Sequence, residues 1–297
     1  MSALDQTDEE AQPPFEVVAP PEQTVPLVFV SPHSGADYPA DFLAGSALDP
    51  VTLRRSEDSF VDELFAAAPQ VGAPLLKANF PRAYLDPNRE PWELDPAMFD
   101  GPLPDHVNSE SQRVVGGLGT IPRVVASGAE IYREKLSFAE AERRIEELYK
   151  PFHATLATLI DETQAEFGCA VLIDCHSMPA VGGPMDKDRG HERVEIVLGD
   201  RFGTSCARAV TDAAEETLDE LGYTVGRNNP YAGGFITRNY GRPAGGIHAL
   251  QIEIKRSLYM DERRIERLPR LRQMTGHMRR LIGDLAKLDR DALMPPR

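Results

Sequence analysis

Two histidines follow short apolar segments in a similar local pattern. His33 stands in Val-Ser-Pro-His-Ser-Gly after the run Val-Pro-Leu-Val-Phe-Val, and His176 stands in Asp-Cys-His-Ser-Met-Pro after Ala-Val-Leu-Ile. Neutral imidazole is the usual nitrogen ligand of zinc, and a catalytic zinc often takes two histidines, a carboxylate and a water molecule. If both histidines lie at the ends of neighbouring strands, the pattern indicates a metal site. If they do not, they are two loop histidines that form ordinary hydrogen bonds.

The third ligand should be a carboxylate, and two candidates lie in the segment Arg-Arg-Ser-Glu-Asp-Ser-Phe-Val-Asp-Glu-Leu-Phe. We interpret this segment as part of a helix over about residues 51–67, with Glu57 and Asp58 at the edge of its apolar stripe. Both acids also suit the first turn of a helix, where the helix dipole favours negative charge. Periodicity does not choose between them.

Glu253 is an acid inside a predicted strand, His-Ala-Leu-Gln-Ile-Glu-Ile-Lys, where strand propensity disfavours acids. The alternation places Gln251, Glu253 and Lys255 on one face. If that face lines a cleft, Glu253 can act as a general base on an activated water molecule. If it does not, this is a half-exposed strand with a solvated polar face.

Several arginines lie near these motifs. Arg82 and the pair Asn88-Arg89 belong to Phe-Pro-Arg-Ala-Tyr-Leu-Asp-Pro-Asn-Arg, and Arg238 belongs to the glycine-rich segment Gly-Gly-Phe-Ile-Thr-Arg-Asn-Tyr-Gly. Guanidinium groups bind carboxylates through two parallel hydrogen bonds. A single arginine is usually a surface or salt-bridge residue, but several beside two histidine turns indicate a small substrate that carries carboxylate groups.

Composition limits the classes of protein to consider. The chain has 297 residues, 41% of them hydrophobic, which is enough for one large domain or two small ones. Its 32 basic and 47 acidic residues give a net charge of −15, which argues against nucleic acids and anionic membranes as partners. The acidic N-terminus lacks the features of a signal peptide, so we expect a cytoplasmic protein. A homo-oligomer is compatible with the sequence.

Three cysteines, an odd number without a Cys-x-x-Cys pair, predict buried thiols rather than disulfides. Cys175 beside His176 suggests an alternative to the metal site, namely a hydrolase with a cysteine nucleophile. Neighbouring residues near a strand end point in different directions, however, and the surrounding segment lacks a glycine turn suited to an oxyanion.

Short apolar segments alternate with amphipathic ones along the chain. This interleaving predicts an α/β fold in which a mixed central sheet is flanked by helices on both faces, within a single domain over residues 25–290. Residues 1–24, rich in acids and prolines, are predicted to be a disordered tail, and residues 86–120 to form functional loops. The predicted strands cover residues 25–30, 74–78, 122–126, 170–175, 193–198 and 248–254, and the predicted helices residues 51–67, 137–166, 203–221 and 261–288.

Five ordered motifs resemble the N-formylglutamate amidohydrolase (N-formylglutamate deformylase) family over about residues 28–260. They are Ser-Pro-His-Ser-Gly, Glu-Asp-Ser-Phe-Val-Asp, Pro-Arg-Ala-Tyr-Leu-Asp-Pro-Asn-Arg, Asp-Cys-His-Ser-Met and His-Ala-Leu-Gln-Ile-Glu-Ile. The family is similar to zinc carboxypeptidases and aspartoacylases. The resemblance implies a phosphorylase/hydrolase-like fold and the hydrolysis of N-formyl-L-glutamate to formate and L-glutamate in histidine breakdown.

The resemblance also implies one zinc ion per chain, held by His33 and His176 with an acid between them. Carboxypeptidases place this acid three residues after the first histidine, where the present chain has Ala36. The acid must therefore come from Glu57 or Asp58. The family pattern slightly favours Asp58 over Glu57 as the carboxylate ligand. Asp37 is a distant third candidate.

For catalysis, the resemblance implies that Glu253 is the general base and that Asn88-Arg89 matches the pair with which carboxypeptidases bind a terminal carboxylate. We expect Arg82 to stabilise the oxyanion, and Arg89 with Asn88, and Arg238, to bind the two carboxylates of an N-acyl amino acid. Two alternatives remain in the sequence: a different N-acyl amino acid as substrate, or a member of the fold that binds a carboxylate ligand without turnover.

Overall fold

The structure, a computed structural model, describes residues 12–184 and 186–294. Its centre is a seven-stranded sheet with the strand order β1-β3-β2-β4-β7-β5-β6. Two short strands, β8 and β9, form a separate hairpin. The strands are β1 (Phe15–Val18), β2 (Leu27–Ser31), β3 (Leu75–Ala78), β4 (Ala170–Met178), β5 (Ile196–Gly199), β6 (Val225–Arg227), β7 (Ile247–Lys255), β8 (Met260–Asp261) and β9 (Glu266–Arg267).

The helices cover both faces of this sheet. A π-helical turn, Ile145–Tyr149, joins α6 to α7. The helices are α1 (Ala40–Gly45), α2 (Pro50–Arg54), α3 (Val61–Leu64), α4 (Ala68–Val71), α5 (Gln112–Val115), α6 (Phe138–Arg144), α7 (Lys150–Phe167), α8 (Arg208–Glu220), α9 (Phe235–Tyr240) and α10 (Leu271–Leu285).

The sheet is mixed. Strands β3, β2, β4 and β7 are parallel, whereas β1 runs antiparallel to β3 and β5 antiparallel to β7. Side chains alternate between two core layers: Leu27 and Phe29 pack with α3, α8 and α10, while Val28 and Val30 pack with α6, α7 and α9. This arrangement confirms the predicted α/β fold with a mixed sheet and helices on both faces.

The prediction of a disordered tail over residues 1–24 was wrong for its second half, and residues 1–11 lie outside the described residues. Strand β1 pairs with β3 from Phe15 to Val18. Two further hydrogen bonds, from the backbone N–H groups of Asn79 and Phe80, reach the carbonyl of Pro14. The Phe15 ring packs edge-on against Phe152 of α7, with their centroids 5.8 Å apart. These contacts order a segment whose composition alone predicts disorder.

Three other predicted elements differ in the structure. Residues 122–126 form only an isolated bridge between Val124 and Glu130. The helix predicted over residues 51–67 is broken: α2 ends at Arg54, and α3 begins only at Val61, directly after Phe60, which adopts a left-handed conformation with φ of 68°. The predicted helix over residues 261–288 begins only at Leu271, after the β8–β9 hairpin. Among residues 12–184 and 186–294, none of the helices combines the length and apolarity that a bilayer crossing requires.

Candidate active site

The candidate residues gather at the carboxyl ends of the parallel strands, where open α/β sheets bind their ligands. His33 follows β2 by two residues, and His176 lies near the end of β4. In the parallel register, His176 is the partner of Glu253 on β7, and Asp174 is the partner of Gln251. Paired residues of neighbouring strands point to the same face, so the four side chains share one side of the sheet.

The side chains of His33, Asp58 and His176 converge on one point. The Nδ1 atoms of His176 and His33 lie 2.9 Å and 3.3 Å from the same carboxylate oxygen, Oδ2 of Asp58. The three ligand atoms lie within 4.8 Å of one another, and each residue is at most 3% exposed. Atoms that bind a tetrahedral zinc ion at ~2.0 Å lie about 3.3 Å from each other. This group of two imidazoles and one carboxylate could therefore hold a metal ion.

Asp58 owes its position to the break between α2 and α3. Its backbone N–H donates to the carbonyl of His33 at 2.9 Å. Arg256 and Ser177 donate to Oδ1 of Asp58 at 2.9 Å and 3.3 Å, which leaves Oδ2 facing the two histidines. Burial opposes ionisation of Asp58, but hydrogen bonds and charge from His176 and His33 hold its pKa well below the usual range. The carboxylate is thus ionised and oriented as a ligand.

Glu57, the other predicted acid, is not a ligand in this arrangement. Its carboxylate accepts hydrogen bonds from Tyr38 and Ser59, each at 2.7 Å, and from Arg54 at 3.0 Å. These contacts point it away from the histidines, since consecutive residues of an extended turn face different directions. Asp37, the third candidate, is exposed and outside the cluster.

A second carboxylate, Asp86, orients His33. Its Oδ1 lies 2.8 Å from Nε2 of His33, on the side of the ring opposite Asp58. Arg82 and Arg89 contact Oδ2 of Asp86 at 3.0 Å and 3.4 Å. Burial opposes ionisation of Asp86, but the two arginines and His33 hold its pKa well below the usual range. Histidine ligands of metals commonly donate their second N–H to such a carboxylate.

Nε2 of His176 faces Asn88 Nδ2 at 3.1 Å and Asp174 Oδ1 at 2.8 Å. The Ile236 N–H donates to the Asn88 carbonyl oxygen at 2.8 Å, which fixes the amide orientation. Despite the short separation, Asp174 Oδ1 accepts no hydrogen bond within the described part of the chain. In the tautomer with a proton on Nε2, this buried oxygen is an available acceptor, and Nδ1 is left free for a metal ion.

The charge around His176 favours a cation at this point. Burial disfavours a charged ring, but Asp174 and Asp58 outweigh burial and raise the pKa of His176 well above its usual value. The surrounding carboxylates thus stabilise a positive charge, either a ring proton or a metal ion that replaces it.

A cavity of about 200 Å³ opens beside the three ligands. Glu253 lines it and is 7% exposed, and Gln251 donates to its carboxylate at 2.8 Å. Burial foremost, and the nearby charge of Asp58, raise the pKa of Glu253 to about 7 against the opposing effect of His176 and two arginines. A carboxyl group with this pKa can accept and return a proton near neutrality.

Arginines surround the same cavity, but not all of those predicted. Arg82 and Arg89 line it together with Asn88. Arg238 does not line it: its guanidinium pairs with Glu90 on an exposed surface of α9. The prediction that Arg238 binds substrate therefore lacks support in this arrangement. Arg113 and Arg256 line the cavity instead.

Sequence reasoning missed Asp86, Asp174, Arg113 and Arg256. Asp86 and Asp174 lie within the motifs that supplied Asn88 and His176, so their proximity along the chain was a usable signal. Arg113 and Arg256 come from a short helix and from the turn after β7, and the sequence contains no comparable signal for them.

Cys175 is unsuited to act as a nucleophile. Its side chain is fully buried and packs in the core layer on the face of the sheet opposite His176. Burial, with the charge of Asp174, raises the pKa of this thiol well above its usual value. All three cysteines are buried free thiols, as predicted.

Comparisons with known proteins show the family to which the chain belongs. The model of the N-formylglutamate amidohydrolase family matches residues 25–260. The N-formylglutamate deformylases of Pseudomonas aeruginosa and Pseudomonas putida are 30% and 27% identical over 250 and 248 residues, which cover 83% and 80% of this chain and 86% and 83% of theirs.

Two solved structures are also similar. The N-formylglutamate amidohydrolase from Ralstonia eutropha is 39% identical with a TM-score of 0.85, covering 92% of this chain and 97% of its own. A gene product of Agrobacterium tumefaciens, 23% identical with a TM-score of 0.53 over 92% of this chain and 94% of its own, shares the fold. With the family model matched over most of its length, this chain belongs to the N-formylglutamate amidohydrolase family.

Proposed function

We propose that this protein hydrolyses N-formyl-L-glutamate to formate and L-glutamate, with one zinc ion held by His33, Asp58 and His176. The observation that carries the proposal is the group of two imidazoles and one carboxylate beside Glu253, in a cavity lined by arginines. Family membership supports the choice of substrate. The ligand set supports zinc, because catalytic zinc sites commonly combine two histidines with one carboxylate.

In this proposal, bound zinc would lower the pKa of a water molecule and polarise the formyl carbonyl. Glu253 accepts the proton of the attacking water and passes it to the nitrogen of the leaving amino group. The pKa of about 7 suits both steps, since the carboxylate is partly ionised at neutral pH and its acid form is strong enough to donate. Burial of Glu253 excludes bulk water from these transfers.

Arg82 stabilises the negative charge that develops on the formyl oxygen. Asp86 holds its guanidinium at 3.0 Å, which lowers the freedom of the side chain before substrate arrives. Arg89, beside Asn88, binds the α-carboxylate. The Nε and Nη1 atoms of Arg89 donate to the backbone carbonyls of Leu118 and Asn88, so the guanidinium is held in place at the cavity wall.

The test measures the amino acid that the purified protein releases from N-formyl, N-acetyl and longer N-acyl amino acids, with formate measured for the N-formyl substrates and metal content measured by elemental analysis. We expect formate from N-formyl-L-glutamate at one zinc ion per chain, loss of activity with a chelator, and its recovery with zinc. Binding of N-formyl-L-glutamate without formate release would contradict the proposal and favour the non-catalytic alternative. Full activity of metal-free protein would contradict the role of zinc.

A further inference from the structure

N-formyl-L-glutamate carries two carboxylates, and the site described so far provides a partner for only one of them. A carboxylate that leaves water for a small cavity costs free energy unless a cation or several hydrogen bonds replace its hydration. The cavity should therefore contain a second cationic group. Since Arg238 lies outside the cavity and pairs with Glu90, another residue must fill this role.

Three of the four arginines that line the cavity have carboxylate partners within the protein. Arg82 and Arg89 contact Asp86, and Arg256 contacts Asp58 at 2.9 Å. Arg113 differs: its side chain is exposed, and it makes no ion pair within residues 12–184 and 186–294. Among the described residues, it is thus the cavity arginine whose charge no carboxylate of the protein offsets.

Arg113 is also held on the correct wall. It lies in α5, where the Ser111 hydroxyl accepts a hydrogen bond from the Val114 N–H at 3.1 Å. The carbonyl of Arg113 accepts from the Leu118 N–H at 2.8 Å, and the carbonyl of Leu118 accepts from Nε of Arg89 at 2.8 Å. This chain of hydrogen bonds fixes the segment of Arg113 beside the guanidinium of Arg89.

The electrostatics of Arg89 support this proximity. Burial foremost, and the charges of Arg113 and Arg82, lower the pKa of Arg89 to about 10 against the opposing effect of Asp86. Positive groups that repel each other around a cavity are stabilised when an anion binds between them. A dianionic ligand would satisfy both guanidinium groups.

From these contacts, and resting on the function proposed above, we infer that Arg113 binds the side-chain carboxylate of the substrate and so determines the specificity for acidic N-formyl amino acids. The positive charge at this position favours a substrate with a carboxylate side chain over a substrate whose side chain has the same size but no charge. Arg113 contributes binding rather than proton transfer, so it should act mainly on KM.

The test compares Arg113→Gln with the matched control Arg238→Gln, using N-formyl-L-glutamate and its uncharged isostere N-formyl-L-glutamine on the zinc-loaded enzyme. We expect Arg113→Gln to raise KM for N-formyl-L-glutamate by about 10- to 100-fold, with a much smaller change for N-formyl-L-glutamine. Arg238→Gln should leave the ratio of kcat/KM for the two substrates unchanged. Arg113→Lys should restore part of the discrimination.

The side chain of Arg113 is exposed, so we expect the variant to fold, which thermal unfolding checks. An unchanged ratio of kcat/KM in folded Arg113→Gln would overturn the inference while leaving the proposed function intact. A loss of discrimination in Arg238→Gln instead would assign the role to that residue. If the unmodified enzyme releases formate from neither substrate, the proposed function fails and the inference fails with it.

Discussion

Two adjacent acids, Glu57 and Asp58, have opposite environments. Glu57 is surrounded by donors of the protein itself, whereas Asp58 directs one oxygen at two imidazoles. The difference arises from the turn between α2 and α3, because each residue of a turn projects in its own direction. A helical interpretation puts both acids at the edge of one stripe and so cannot separate them.

This pair provides a matched test of the metal site. Asp58→Asn should lower zinc content from one ion per chain to a small fraction, because the amide removes the ligand charge. Glu57→Gln changes the neighbouring residue in the same way and should retain zinc, at some cost in stability because the amide loses the charge that faces Arg54 and one of two acceptor oxygens. Elemental analysis of both folded variants checks this prediction, and zinc retained by Asp58→Asn would remove Asp58 from the ligand set.

Glu253 provides a second prediction at this scale. Glu253→Gln should retain zinc and lower kcat by about 100-fold or more, because the amide cannot accept the proton of water. The general base must be ionised, and its pKa is raised to about 7, so kcat/KM of the unmodified enzyme should fall as pH decreases through 7 or below. The residual activity of the variant should lack this acidic limb. The test is the pH profile of kcat/KM for both enzymes. If the variant shows the same decrease at low pH, the decrease belongs to a group other than Glu253.

Among single residues, those at strand ends could be predicted from sequence. His33, His176 and Glu253 each follow or belong to an apolar segment whose direction the alternation defines. Arg113 and Arg256 could not be predicted as site residues from the sequence. Their positions depend on how α5 and the turn after β7 fold against segments far away along the chain.

Among elements, strand β1 lies at the edge of the sheet and covers the free side of β3. Its sequence, Phe-Glu-Val-Val, sits between prolines and acids, so composition averaged over the first 24 residues conceals a strand of four. The break before α3 was not predicted, because the segment has helical periodicity. The residue with a left-handed conformation there is Phe60, and a glycine would have been the usual signal for it. The central strands were predictable because all their residues are buried and apolar runs of this kind are distinctive.

Deletion of residues 1–18 should therefore destabilise the fold, whereas deletion of residues 1–11 keeps β1 and its contacts with β3. The longer deletion removes the β1 ladder and the Phe15–Phe152 contact, and exposes the edge of β3. We expect a loss of about 2 kcal/mol or more in the free energy of unfolding, together with a tendency to aggregate through the open edge. Urea unfolding and size-exclusion chromatography of the two truncated proteins test this, and equal unfolding midpoints would contradict it.

For the whole molecule, the proposed metal site joins segments that are distant along the chain. His33 follows β2, and Asp58 lies between two short helices. His176 lies near the end of β4, 143 residues after His33. An ion bound by all three stabilises the native state, in which the ligands meet, and not the unfolded chain, in which they are far apart. The sequence predicts which side chains take part, but only the fold brings them together.

Removal of zinc should consequently lower the melting temperature of the entire protein. With free zinc at about 100 times its Kd, the expected stabilisation corresponds to roughly 5–10 °C for a chain of this size. Differential scanning calorimetry before and after chelation measures this shift. Asp58→Asn serves as the control and should melt at the same temperature with and without zinc. A chelated enzyme with an unchanged melting temperature would argue against a structural contribution of the ion.

Asp86 touches both halves of the site: one oxygen faces His33, and the other contacts Arg82 and Arg89. A ligand anion that binds Arg89 shares the charge that this guanidinium otherwise gives to Asp86 alone. More negative charge is then left for the imidazole, and a more basic imidazole holds a cation more tightly. Binding of an anion in the arginine-lined cavity and binding of the metal ion are then thermodynamically coupled. Each ligand must change the affinity for the other by the same factor. The protein would release its metal least readily while substrate is present.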